Sequence, residues 1–229
     1  MAKYSLNKSL ILGGLLEFNK SNVLLRSLQI KDGFKIHTCN DYGHSLEVIK
    51  EASYGIEDKV KLISKVYYKY PNISSRRFRP ILDQLKEQIN RLGFIPSNWD
   101  IQISCYCPVK ELKSKNAYKF FETIKNNFGI KKIYLEIYPV YDYKNEEILS
   151  LNSFYKGKFK FGLIGYQNLQ NRVFTEKNLK QYNKDLIEVI CIGILGKGIQ
   201  NKIINSNSSF NKNFIEFNLF YFFFKSKKI

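Results

Sequence analysis

The sequence predicts an α/β fold built on parallel strand pairing. Three observations carry this: seven short apolar runs, amphipathic segments between most of them, and glycine or proline at many junctions. Alternating strands and helices imply crossover connections, which run right-handed between parallel neighbours. Periodicity alone leaves two architectures open, an open doubly wound sheet and a closed (β/α)8 barrel.

In chain order the predicted strands are Leu10–Leu12, Ile36–Cys39, Val60–Ser64 ending on Lys65, Ile101–Cys105, Ile133–Tyr138, Phe159–Ile164 and Ile187–Ile192. Helical spacing appears at Val23, Leu24, Leu25 and Leu28, with Ser21 as the expected N-cap. The second strand run is trailed by Leu46, Val48, Ile49 and Ala52. A second helical set is Ile81, Leu82, Leu85, Ile89 and Leu92, capped by Ser74 or Ser75, with Pro80 in its first turn and Gly93 as its stop. Phe120, Phe121 and Ile124 mark a helix ending near Gly129, and another spans about Thr175 to Lys184. From Asn201 the chain turns polar and then strongly aromatic. The domain reading is therefore a strand-helix body over residues 1–200 and a tail over 201–229.

Composition narrows the function. A chain of 229 residues that is 44% hydrophobic can bury a substantial core. The N-terminus has no long apolar segment, and no run approaches the roughly 20 residues of a membrane span, so a cytoplasmic protein without membrane insertion is expected. Cys39, Cys105, Cys107 and Cys191 read as free thiols. No metal site is expected, because Cys105-x-Cys107 has no second ligand pair at zinc spacing. The formal charge of +17 raises nucleic-acid binding, but the lysines are dispersed and only Arg76-Arg77-Phe78-Arg79 and the last residues cluster. A solvated basic surface is the preferred reading.

One stretch carries chemistry. His37-Thr38-Cys39-Asn40-Asp41-Tyr42-Gly43-His44-Ser45-Leu46 follows a glycine and a short strand. Further along come Ile63-Ser64-Lys65, then Arg91-Leu92-Gly93 with Asp100 to Cys105, then Gln167-Asn168-Leu169-Gln170-Asn171-Arg172, and finally Leu195-Gly196-Lys197-Gly198. In order and spacing this series resembles the aldo-keto reductase family, from about Leu10 to Gly198. The resemblance implies a (β/α)8 barrel of the TIM type, here with about seven strand-helix units, and NADPH at the carboxyl ends of the strands. It implies hydride transfer to a small carbonyl or sugar-like substrate. Four residues run that chemistry in the family: a tyrosine acid, a lysine and an aspartate that tune it, and a histidine that orients the carbonyl.

Tyr42 and Lys65 stand at the tyrosine and lysine positions, His37 at the aspartate position and Cys105 at the histidine position. An ammonium near a phenol lowers a pKa that is ordinarily about 10, which lets the phenol act as an acid near neutrality. Without the aspartate, Lys65 is expected to lack its carboxylate, and a cationic His37 beside it would depress the lysine pKa. Cys105 is a weak donor. Leu195, Gly196, Lys197 and Gly198 are the expected pyrophosphate turn. Glu136 falls on or near the family's serine after strand five, and Ile164 falls on its strand-six glutamine. Nothing after Gly198 resembles the eighth unit. Strands one and seven would then have open edges, covered by the aromatic tail or by a second chain in an oligomer. The alternative is a catalytically inert barrel that binds or scaffolds, or a truncated product.

Overall fold

Among the described residues, seven strands pair side by side in sequence order, every neighbour parallel. They are β1 (Ile11–Gly13), β2 (Lys35–Cys39), β3 (Lys61–Tyr67), β4 (Asn98–Ser104), β5 (Lys132–Ile137), β6 (Lys160–Tyr166) and β7 (Val189–Ile192). The helices are α1 (Lys20–Lys31), α2 (Ser45–Ala52), α3 (Arg79–Leu92), α4 (Val109–Leu112), α5 (Lys115–Phe128), α6 (Asn145–Phe154) and α7 (Glu176–Lys184). The computed structural model describes residues 11–13, 20–68, 79–104, 106–137, 143–166 and 174–192. Cys105, the Ser74 and Ser75 caps, the Gln167–Arg172 loop, the Leu195–Gly198 turn and the tail over 201–229 lie outside the described residues.

Sequential order with parallel pairing throughout is the strand order of a (β/α) barrel. A doubly wound sheet would instead reverse its order at a switch point. Alternation along each strand sorts the side chains. Ile36, Leu62, Val66, Trp99, Ile101, Ile103, Ile133, Leu135, Phe161 and Leu163 face outward and join the buried residues of the helices in one large core. Ile63, Tyr134, Ile164 and Ile190 form a separate small apolar cluster. These four lie on the opposite, inner face.

Local chemistry explains the helix ends. In α3, Pro80 occupies the first turn and Gly93, at φ 80°, ends the helix after Leu92. In α5 the Ser114 hydroxyl accepts from the Ala117 N–H, and Gly129 at φ 70° closes the other end. Thr175 caps α7 in the same way through the Asn178 N–H.

Several boundaries differ from expectation: β4 begins at Asn98 rather than Ile101, and β6 runs to Tyr166 rather than Ile164. α1 begins at Lys20, so Ser21 lies inside its first turn and is not the N-cap. β7 begins at Val189 rather than Ile187, after Leu186 takes a positive φ of 56°. β3 runs two residues past Lys65, because the Gln84 side chain on α3 accepts from the Tyr67 N–H at 2.9 Å and donates to the Tyr67 carbonyl at 3.2 Å. α6 was not anticipated from the sequence. It buries only Ile148 and Leu151, too few for a helical stripe, and its start is marked by the Glu147 carboxylate accepting from the Lys144 backbone N–H at 2.8 Å.

Gly162 on β6 is held to glycine by space. A Cβ there would stand 2.7 Å from the Glu188 carbonyl oxygen and 3.0 Å from the Tyr134 ring. Gly162→Ala is expected to cost about 1–3 kcal/mol through overpacking, read as a lower urea midpoint. An unchanged midpoint would show that the inner face has room there.

Candidate functional site

Register builds the inner face in storeys. At the N-terminal ends of the strands, Lys35 Nζ meets Asp100 Oδ2 at 2.6 Å. Lys132 Nζ meets Glu188 Oε2 at 2.8 Å, and the Tyr134 hydroxyl donates to Glu188 Oε1 at 2.6 Å. Above these ion pairs lies the apolar cluster of Ile63, Tyr134, Ile164 and Ile190. Toward the carboxyl ends come His37, Lys65, Gln102, Ser104 and Glu136, all buried. Barrel enzymes place their chemistry at this end.

Lys65 is not without a carboxylate. Its Nζ lies 3.6 Å from Glu136 Oε1, with the lysine side chain 8% exposed and the glutamate fully buried. Ser104 donates a hydrogen bond to the other carboxylate oxygen. Lys65 Nζ also sits 5.2 Å from the centroid of the Tyr67 ring, within cation–π range. The expected loss of a partner is thus overturned: the counter-charge comes from β5 instead of β2.

His37 Nε2 is 2.6 Å from Gln102 Oε1. An amide oxygen only accepts, so with this orientation Nε2 carries the proton and donates. Burial pushes the His37 pKa below its ordinary value, and the Lys65 charge pushes the same way, against the Gln102 bond and Glu136. The imidazole is therefore neutral near pH 7. Its ring meets the ring of half-buried Tyr42 edge-on, with centroids 6.1 Å apart. Burial also raises the Cys39 thiol and the Tyr67 phenol, which keeps both protonated.

The loop that carries Tyr42 is held from α3. Arg91 pairs with Glu47 through Nε to Oε1 at 2.6 Å and Nη2 to Oε2 at 2.8 Å. The same guanidinium donates to the Asn40 carbonyl at 2.8 Å and the Gly43 carbonyl at 2.6 Å, on either side of Tyr42. Asn40 Nδ2 donates to Glu87 Oε2 at 2.7 Å, and Thr38 Oγ1 lies 2.8 Å from Ser45 Oγ.

Of the sequence-predicted residues, His37 packs against Tyr42 and feels the charge of Lys65. Cys105 and Leu195–Gly198 lie outside the described residues. Gln102, Ser104 and Arg91 had no site role in the sequence reading, and Glu136 entered it only as a liability. A signal was present: Asp100, Gln102 and Ser104 alternate with apolar Trp99, Ile101 and Ile103, the period-2 mark of a strand with one polar face.

Two outcomes follow from this geometry. Because the folded-state pKa of His37 lies below the unfolded value of about 6.5, the unfolded chain binds a proton that the folded chain does not, between those two values. Stability should fall as pH drops below about 6.5 and level off below the folded pKa. Urea melts between pH 7.5 and 5 read this, and His37→Asn should flatten that limb. For the loop, Arg91→Met should cost about 1–3 kcal/mol and speed amide exchange at residues 40–45, where the Tyr42 N–H bonds the Cys39 carbonyl. Unchanged exchange in that segment would show that the loop is held by other contacts.

No protein-family profile matches the sequence, and no curated protein is detectably similar to it. Solved structures do match. MGS-M4, an aldo-keto reductase enzyme from a Medee basin deep-sea metagenome library, superposes with a TM-score of 0.55 at 14% identity, covering 86% of this chain and 67% of its own. The apo form of Gox0644 gives a TM-score of 0.51 at 14% identity, covering 82% of this chain and 64% of its own. The chain is similar in fold to an aldo-keto reductase, with an alternating parallel barrel of seven described strands.

Proposed function

We propose that this chain is an aldo-keto reductase-type oxidoreductase that reduces a small carbonyl or sugar-like substrate with NADPH, through a rewired set of site residues. The observation that carries the reading is the buried Lys65–Glu136 pair at the carboxyl ends of the strands, beside His37 and Tyr42. A barrel kept only for its shape has no need of a lysine and a glutamate buried together, since such a pair is often no more stabilising than apolar residues of equal volume.

The roles follow from chemistry. Tyr42 is the acid that protonates the developing alkoxide. Lys65 favours the phenolate that proton loss leaves behind, because a nearby ammonium stabilises an anion. Glu136 holds Lys65 in place and makes the pair neutral overall. His37, neutral and anchored on Gln102, packs against the Tyr42 ring and limits its motion.

The described residues are compatible with a nicotinamide. Glu136 Oε1 is buried and accepts no hydrogen bond among the described residues, so a carboxamide N–H would satisfy it. Lys65 and Ser104 offset the charge that would otherwise disfavour an acidic side chain there. By resemblance, Leu195, Gly196, Lys197 and Gly198 would take the pyrophosphate. NADPH would supply the hydride.

One observation favours a second reading, a barrel that binds without turnover. Ile164, at the position where the family reads the carboxamide, is buried in an apolar cluster and offers no polar group. The remaining proposals concern surroundings: residues 201–229 as a tail apart from the barrel, a second copy or that tail over the outer edges of β1 and β7, and a cytoplasmic location. No helix among the described residues is long and apolar enough to cross a membrane.

Calorimetry with NADPH and NADPH-dependent reduction of 4-nitrobenzaldehyde test the reading. The native chain should bind and turn over, and Tyr42→Phe should lower kcat by about 100-fold or more while leaving NADPH affinity unchanged. Glu136→Gln should slow turnover and alter its pH profile through Lys65. Binding without turnover favours the second reading, and absence of NADPH binding sinks the first.

A further inference from the structure

Among the described residues, the inner face holds a polar group that neither the packing nor the roles above use. Gln102 on β4 is fully buried, and its Oε1 is engaged by His37 Nε2 at 2.6 Å. With the imidazole proton on Nε2, that contact directs the amide oxygen to His37. Its Nε2 then has no hydrogen-bond partner among the described residues. A buried N–H donor left unmade costs about 1–3 kcal/mol, so native proteins rarely keep one without a use.

Its surroundings indicate the use. Gln102 is the register neighbour of Lys65 and lies two residues before Ser104, which holds Glu136. The donor therefore sits within the same polar storey as the proposed acid and its tuner. An amide N–H is neutral, keeps its proton at every accessible pH, and matches an acceptor such as a carbonyl oxygen. The polarity of the chain His37 Nε2–H to Gln102 Oε1 also strengthens the donor at the far end of the amide. A thiol at position 105 would be a poor donor to the same oxygen.

We propose that Gln102 is the substrate-binding donor of this site, its Nε2–H holding the carbonyl oxygen of the substrate while His37 fixes the amide in that direction. The inference rests on the reading of the chain as a carbonyl reductase. The donor is present in the ground state and strengthens as negative charge develops on the oxygen. It acts on the reaction step as well as on binding.

The test uses the full chain, NADPH and 4-nitrobenzaldehyde, with Gln102→Glu and Gln102→Met. Glutamate, when ionised, keeps an acceptor for His37 and exchanges the donor for a carboxylate charge, whereas methionine removes both the acceptor and the donor without adding charge. Both variants should lose about 100- to 1,000-fold in kcat/KM, the usual effect of deleting one donor to a developing oxyanion, with NADPH affinity by calorimetry unchanged. Independently of turnover, isotope-edited infrared spectra of carbonyl-labelled acetophenone bound to the NADP+ complex should show the C=O stretch shifted down in the native protein and restored in Gln102→Met. Turnover that persists unchanged in both variants overturns the role of Gln102 and leaves the reductase reading standing. No turnover or NADPH binding by the native chain overturns both. Should either variant fail to fold, the native spectrum decides: a carbonyl stretch at its frequency in hydrocarbon solution overturns the proposal.

Discussion

A lysine ammonium inside a barrel must have a counter-charge, and the Lys65–Glu136 pair is the contact on which the rest of the site depends. Taking either ion out of water costs several kcal/mol, and their attraction offsets this only where geometry and further hydrogen bonds are good. The sheet supplies that geometry. Lys65 is in register with Gln102, and Gln102 with Tyr134, so Glu136 lies two residues further along β5, on the same face. Ser104 orients the carboxylate from β4 between them. Loss of either charged partner would leave the other buried and alone, which is why the pair constrains all three strands at once.

The second constraint is imposed from outside the barrel by α3. Its apolar side, with Ile81, Leu85 and Leu92 buried, packs the helix on the sheet. Its polar positions Gln84, Glu87, Gln88 and Arg91 recur at helical spacing, and each engages a β2 or β3 segment. Gln84 extends β3 at Tyr67, Gln88 Nε2 reaches the Lys65 carbonyl at 3.5 Å, Glu87 holds Asn40, and Arg91 holds Asn40 and Gly43. A single helix therefore fixes both the strand end that carries Lys65 and the loop that carries Tyr42. One rigid element thus positions both segments, which limits their relative motion.

Much of this was legible in the sequence, because it rests on local patterns. Glycine stops at Gly93 and Gly129, the helical span from about Thr175 to Lys184 and the apolar runs of the strands all gave elements close to those observed. The resemblance in the His37 to Leu46 stretch pointed to the barrel, where periodicity had left two architectures open. What was hidden depends on long-range pairing. That Glu136 would meet Lys65 follows from two strand registers, and that Arg91 would hold the Tyr42 loop follows from a contact across about 50 residues of chain. α6 was hidden for another reason: two buried side chains do not make a periodic stripe, and its N-terminal signal is a hydrogen bond to a backbone N–H.

The storeys of the inner face bear on how a site of this kind can change. The lower ion pairs, Lys35–Asp100 and Lys132–Glu188, are separated from the upper polar set by Ile63, Ile164, Ile190 and the Tyr134 ring. Each storey satisfies its own charges, so a carboxylate can leave β2 provided another appears within reach in the same storey. In this chain the negative charge for Lys65 comes from Glu136 on β5, while β2 carries His37, and the storey keeps its balance. Electrostatics acts through space rather than along the chain, and by that measure Lys65 keeps a carboxylate within ion-pair reach.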